Sequence, residues 1–183
     1  MTSVTTHIPN ILTLSRIVAA PLLIVVLRNE NYELALILFI LAGMTDGLDG
    51  WIAKRFNCTS ELGASLDPLA DKIIIIAAYG MLTILGVIPF WLMMLVIFRD
   101  VVIVGGYLVL TTLNGNIPMQ PTLTSKTNTF LQITFVIAVL LNNTSWLYIP
   151  YLTETLMFAV AISTIASGTQ YVWVWGIQRN YTN

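Results

Sequence analysis

The chain has 183 residues, of which 57% are hydrophobic and only 9% charged, with a mean hydropathy of +0.83 and a formal net charge of -1. A soluble globular domain carries about 25% charged residues, so this composition marks an integral membrane protein. It offers no basic patch, which excludes nucleic acid as a partner. The one cysteine, Cys58, excludes a disulfide within the chain.

A membrane-spanning helix needs about 20 consecutive apolar residues. Residues 2–10 are too short and too polar to span. Met1, Val4, Ile8 and Ile11 recur at helical spacing, so this segment is read as interfacial. It shows no basic leader with a cleavage site. His7, the only histidine, has no second ligand nearby and reads as a surface residue.

Six hydrophobic runs follow, at roughly residues 11–27, 34–53, 66–85, 90–111, 127–141 and 152–175. None alternates like a membrane β-strand, and helices satisfy their own backbone groups in lipid. The expected fold is therefore all-α: one membrane domain over residues 1–183, with six transmembrane helices and a short interfacial N-terminal segment. Two connections are longer and more polar, residues 54–65 and 113–125. Trp146, Tyr148 and Tyr151 suit an interface belt. With the N-terminus inside, the inner loops and tail carry Lys54, Arg55, Lys126 and Arg179, and the outer loops carry only Arg28. The positive-inside rule then places both termini in the cytoplasm.

The chemistry concentrates between the second and third runs. Asp46 and Asp49 are three apart, and Asp67 and Asp71 are four apart. Both spacings put the pair on one helix face. A short loop joins the two helices, so they are expected to be antiparallel neighbours with the four carboxylates converging at the cytoplasmic boundary. Unpaired, such carboxylates raise one another's pKa. A divalent cation relieves the conflict, and oxygen-only ligands select Mg²⁺ or Mn²⁺. Gly47, Gly50, Ala53 and Gly63 leave room for close approach, and Lys54, Arg55 and Lys72 add positive charge. These are the ingredients of a diphosphate site.

Each part has an ordinary reading as well. Asp67 before Pro68 reads as a helix N-cap with Pro at the first helical position. Lys54 and Arg55 read as topology anchors, and the glycines as helix-packing residues. Together the parts are harder to explain that way, because acidic residues in membrane helices are rare and usually functional.

The pattern resembles the signature of the CDP-alcohol phosphatidyltransferases, D-x2-D-G-x2-A-R-x8-G-x3-D-x3-D. Asp46, Asp49, Gly50, Ala53, Gly63, Asp67 and Asp71 fall at every required spacing. Lys54 stands where the family has Arg, keeping the charge but losing bidentate reach. The resemblance implies that Asp46, Asp49, Asp67 and Asp71 hold one or two metal ions. It implies that Asp49, Gly50, Ala53, Lys54, Gly63 and Asp67 bind the CDP moiety of CDP-diacylglycerol. It further implies that Asp71 is the general base on the acceptor hydroxyl, that CMP leaves, and that the protein is a homodimer in a membrane, here a bacterial inner membrane with a cytoplasmic active site.

Three residues outside the signature bear on the acceptor: Arg16, Lys126 and Asn128. The opening Asn10-x2-Thr13-x2-Arg16 is similar to one the family carries, and snorkelling is the ordinary reading of Arg16. Enzymes of the family that take glycerol 3-phosphate resemble one another in a second Lys where Asn128 stands. The form Ser125-Lys126-x-Asn128-Thr129-x2-Gln132 is similar to the cardiolipin synthase branch. A phosphomonoester dianion wants more positive charge than the phosphodiester of phosphatidylglycerol, so phosphatidylglycerol is the expected acceptor and glycerol 3-phosphate the alternative. Arg99-Asp100 interrupts the fourth run. Adjacent helix residues point about 100° apart, so each is expected to find its partner elsewhere. An aromatic prenyltransferase would set its acidic motifs far apart. A cation transporter would place them at the bilayer midplane.

Overall fold

A computed structural model describes the backbone of residues 7–56, 61–114 and 122–180, and side chains within 18–45, 72–106, 112 and 122–173. Every regular element among them is an α-helix. In chain order these are α1 (His7–Arg28), α2 (Tyr32–Phe56), α3 (Glu61–Ile84), α4 (Phe90–Asn114), α5 (Leu123–Asn142) and α6 (Leu152–Asn180).

The six runs of the sequence each became one helix, but the helices are longer than the runs. α2 continues to Phe56 and α3 starts at Glu61, so the expected 54–65 connection shrinks to residues 57–60. Hydropathy sees only the part of a helix matched to lipid. Ala53, Lys54 and Arg55 are good helix formers with no breaker among them, so the backbone carries on. Asp67 consequently lies inside α3, and its reading as an N-cap is corrected. The N-terminal segment is corrected in part: residues 7–10 belong to α1 and are not a separate interfacial element. Residues 1–6 lie outside the described ones.

Two compact units form. One comprises Met1–Val87 with Val136–Ile149, the other Ile88–Phe135 with Pro150–Asn183. In the first, α1 packs on both α2 and α3. The buried positions Ala20, Leu23 and Leu27 of α1 recur at helical spacing, as do Ala35, Phe39 and Ala42 of α2 and Ile75, Ala78 and Leu82 of α3. An alanine in each stripe lets the backbones approach closely, the packing that favours helix association in lipid. The α1–α2 turn uses Glu30 at φ 55°, and the α3–α4 turn uses Gly86 at φ 73°. Only glycine adopts that region without steric cost. After α5, the Asn142 side chain accepts from Ile149 N at 3.0 Å and donates to Ile149 O at 3.1 Å, closing the loop. Ser145 Oγ donates to Glu33 Oε1 at 2.8 Å.

In the second unit α4 packs on α6. Two helices bury residues at the same 4-3-4 spacing, Leu92, Val96, Arg99 and Ile103 on α4 and Val160, Thr164, Ser167 and Tyr171 on α6, and α5 adds Asn128, Gln132 and Phe135. Among these buried positions Arg99, Asn128, Gln132, Thr164 and Ser167 are polar or charged.

Outward faces are apolar as well. Val18, Leu22 and Val25 on α1, Ile37, Leu41 and Met44 on α2, and Phe98, Val101, Ile162 and Ile165 on α4 and α6 are all exposed. Helices apolar on every side belong in a membrane. α5 over Leu123–Asn142 and α6 over Leu152–Trp173 are long and apolar enough to cross one. Trp146, Tyr148 and Tyr151 are exposed, as an interface belt requires.

Candidate active site

Asp46 and Asp49 stand on α2 beside Gly50, Ala53 and Lys54, and Gly63, Asp67 and Asp71 stand on α3. Helical backbone runs through all eight, so each aspartate pair occupies one helix face, three or four residues apart. Their side chains, with that of Arg16 on α1, lie outside the described residues. No cluster of three metal-binding side chains occurs among the described residues, which do not include these four. The donor chemistry suits a hard divalent ion: four carboxylates, with no His or Cys on either helix to draw a softer one.

The second unit shows side chains in full. Arg99 is 4% exposed and Asp100 9%. Contrary to the expectation from helix geometry, the neighbours pair with each other: Arg99 Nη1 lies 2.7 Å from Asp100 Oδ1. The long arginine side chain folds back across the 100° that separates their Cβ directions, which a shorter residue could not do. The rest of the guanidinium reaches two other helices. Nε and Nη2 fork onto Ser167 Oγ of α6 at 3.2 and 2.8 Å, and Nη2 also donates to Ser125 Oγ of α5 at 2.6 Å. The buried cation is thus matched by a carboxylate and two hydroxyls, as its burial demands.

Ser125 belongs to the first turn of α5, which is tied down at further points. Thr122 Oγ1 caps Ser125 N at 3.3 Å. Thr124 Oγ1 donates to Gln170 Oε1 of α6, and Thr122 N donates to Tyr171 Oη at 3.4 Å. The next residue, Lys126, is exposed and makes no ion pair among the described residues. Among the described residues, then, Lys126 is a cation without an ion-pair partner on a fixed turn.

Asn128 is different. It is fully buried, and its Oδ1 accepts from Ser163 Oγ at 2.8 Å and Thr164 Oγ1 at 2.9 Å, joining α5 to α6. Among the described residues its Nδ2 has no hydrogen-bond partner, nor do the amide nitrogen and oxygen of Gln132 one turn further on. A cavity of about 780 Å³ opens between α4 and α6, with Leu95, Phe98, Thr164, Gly168 and Trp173 in its walls beside Arg99. Gly168 packs beside the Arg99 stem, where a Cβ would meet Arg99 Cγ at an ordinary 3.8 Å, so the space there does not require glycine.

The sequence reading had Ser125 only as part of the motif around Lys126, and did not find Ser163, Thr164, Ser167, Gln170 or Tyr171. A signal existed. Thr164, Ser167 and Tyr171 form a polar stripe at helical spacing along an otherwise apolar α6, and such a stripe in a membrane helix calls for partners on its neighbours.

The signature on α2 and α3 agrees with the comparison with known proteins. The profile of the CDP-alcohol phosphatidyltransferase family matches residues 6–167. The chain belongs to this family, whose members are membrane-associated enzymes. It is 36% identical to the cardiolipin synthase (CMP-forming) of Rattus norvegicus, over 90% of this chain and 60% of that one. It is 40% identical to the cardiolipin synthase (CMP-forming) of Homo sapiens, over 73% of this chain and 50% of that one. It is 31% identical to the CDP-diacylglycerol–glycerol-3-phosphate 3-phosphatidyltransferase of Bacillus subtilis strain 168, over 90% of this chain and 93% of that one. The chain thus spans about half to three fifths of the length of these cardiolipin synthases, and nearly all of the Bacillus protein.

Proposed function

We propose that this protein makes glycerophospholipid by transferring a phosphatidyl group from CDP-diacylglycerol to a glycerol-type acceptor, releasing CMP. The observation that carries the reading is the complete aspartate signature on two helices within a family match covering most of the chain. Both activities named for these relatives are phospholipid syntheses.

The roles follow from the residue types. Asp49, Gly50, Ala53, Lys54, Gly63 and Asp67 bind the CDP moiety, the small residues admitting it against the helices. Asp46, Asp49, Asp67 and Asp71 would hold Mg²⁺ or Mn²⁺. When bound, the ion neutralises diphosphate charge and eases departure of CMP. The Asp71 carboxylate takes the proton of the acceptor hydroxyl. The hydroxyl oxygen forms a bond to the phosphorus carrying diacylglycerol, and the bond from that phosphorus to the CMP oxygen breaks. Arg16, Lys126 and Asn128 serve the acceptor. Lys126 is an exposed cation, and Asn128 acts from behind, through the α5–α6 seam.

The preferred acceptor is phosphatidylglycerol, in keeping with Asn128 standing where a second lysine would add charge beside Lys126, and with the identity to cardiolipin synthases. Glycerol 3-phosphate is the alternative, the acceptor in the name of the Bacillus relative. Exposed apolar faces on described parts of all six helices support membrane spans. Six spans in a bacterial inner membrane, with both termini and the signature cytoplasmic by the distribution of Lys and Arg, and a homodimer belong to the same proposal. The test is direct. Purified protein in detergent, given CDP-diacylglycerol, Mg²⁺ and each acceptor in turn, should release CMP with phosphatidylglycerol. Release with neither acceptor sinks the transferase reading. Release with glycerol 3-phosphate alone reverses the acceptor preference.

A further inference from the structure

The Arg99 guanidinium is nearly spent on protein partners. One N–H goes to Asp100, two fork onto Ser167 of α6, and one goes to Ser125 of α5. With its charge matched by Asp100 and its donors aimed at hydroxyls, Arg99 is poorly placed to seize a substrate phosphate. It is well placed to fix other groups. Its shortest bond to another helix, 2.6 Å, ends on the residue directly before Lys126. Lys126 itself stays exposed, with its own side chain untied.

We propose that Arg99 is a positioning residue for acceptor binding: through Ser125 it holds the first turn of α5 so that the Lys126 ammonium is presented at a fixed place to the phosphate of the acceptor. The proposal rests on the transferase reading above. A flexible lysine on a loose turn must be ordered each time a phosphate binds, and the ordering subtracts from affinity. The tie to Ser125 orders the backbone beforehand. The Thr124–Gln170 and Thr122–Tyr171 bonds hold the same turn from α6, so the clamp draws on α4 and α6 together. A lysine at position 99 keeps the charge facing Asp100 but lacks the planar fork that serves two helices at once.

The experiment compares Arg99→Lys, Ser125→Ala and the double variant with wild type. It reads KM for each substrate, kcat, and amide hydrogen exchange over residues 122–128. Ser125→Ala removes one hydroxyl from a partly exposed turn and keeps the buried Arg99–Asp100 pair, so it serves where Arg99→Lys fails to fold. The expected result is faster exchange in that turn and an acceptor KM raised about tenfold, the scale of one hydrogen bond to a charged group, with the CDP-diacylglycerol KM unchanged. The double variant should raise the acceptor KM no further than Arg99→Lys alone, because both changes cut the same link. Unchanged exchange in Ser125→Ala overturns the clamp, even in an active enzyme. Faster exchange with both KM values moved alike overturns its acceptor role and leaves a structural tie. If wild type releases no CMP with either acceptor, the transferase reading fails and takes the acceptor role with it, while exchange still reports whether the tie exists.

Discussion

The Asn128 carboxamide oxygen accepts the Thr164 hydroxyl at 2.9 Å in a seam where both residues are almost wholly buried. Ser163 donates to the same oxygen at 2.8 Å. Position 128 is thus a junction of two helices. Lysine there would have no acceptor for the two hydroxyls and would bury an unpaired cation. Asn128→Lys should cost about 3 kcal/mol or more and should not convert the protein to glycerol 3-phosphate by added charge alone. Asn128→Ala should cost about 1–3 kcal/mol, the penalty for leaving the buried Thr164 hydroxyl without its acceptor, while Ser163 Oγ keeps Val160 O at 3.0 Å. Thermal unfolding in detergent, alongside CMP release with both acceptors, checks both. A stable Asn128→Lys protein that gains glycerol 3-phosphate activity would show that the seam opens to the acceptor.

Gln132 sits one turn further along α5, fully buried, with neither amide atom hydrogen-bonded among the described residues. Burying an unsatisfied amide costs about 1–3 kcal/mol. Replacing it with leucine removes that cost at similar volume. Gln132→Leu should leave thermal stability unchanged or raise it by about 1 kcal/mol. A large loss of stability would mean that a bound water or ligand atom satisfies the amide in the folded protein.

Periodicity and hydropathy made much of this architecture legible. Six apolar runs became six helices, and the aspartate spacing fell on α2 and α3 as required. Helix ends were less legible, because hydropathy marks the lipid-matched middle and misses polar turns such as Ala53–Phe56. That is why Asp67, next to Pro68, reads as a helix start and proves to lie inside α3. The Arg99–Asp100 pair was misread for another reason. The rule that neighbours on a helix diverge applies to Cβ directions, and a four-bond side chain can reach back across them. Asn128 was read for its charge alone. Its burial depends on Ser163 and Thr164, 35 and 36 residues away, and no local pattern in α5 reports them.

The turn between α1 and α2 contains a local strain. Glu30 holds φ at 55°, a left-handed conformation in which an L side chain crowds its own backbone. Its amide donates to Leu27 O at 2.8 Å, so the turn is fixed by the helix end. Glycine adopts the same conformation freely, though it also gains freedom in the unfolded chain. Glu30→Gly should therefore raise stability by a net of about 0.5–1 kcal/mol, read as a higher midpoint of thermal unfolding. A lower midpoint would show that the Glu30 side chain contributes more than its backbone costs.

Asp71 offers the sharpest test of the proposed chemistry. Asparagine keeps the size and one oxygen but cannot take a proton from the acceptor hydroxyl. A general base commonly contributes about 10²–10⁴-fold to rate, so Asp71→Asn should lower kcat by at least that much. Asp46, Asp49 and Asp67 remain, so CDP-diacylglycerol should still bind, more weakly. Chelation of divalent ions should abolish turnover in wild type, and added Mg²⁺ or Mn²⁺ should restore it. Equilibrium binding of CDP-diacylglycerol separates the two roles given to this carboxylate. Turnover lost with binding partly retained makes Asp71 the proton acceptor. Binding lost to the same degree as turnover makes it chiefly a metal ligand, and the base must then be sought among the other three aspartates.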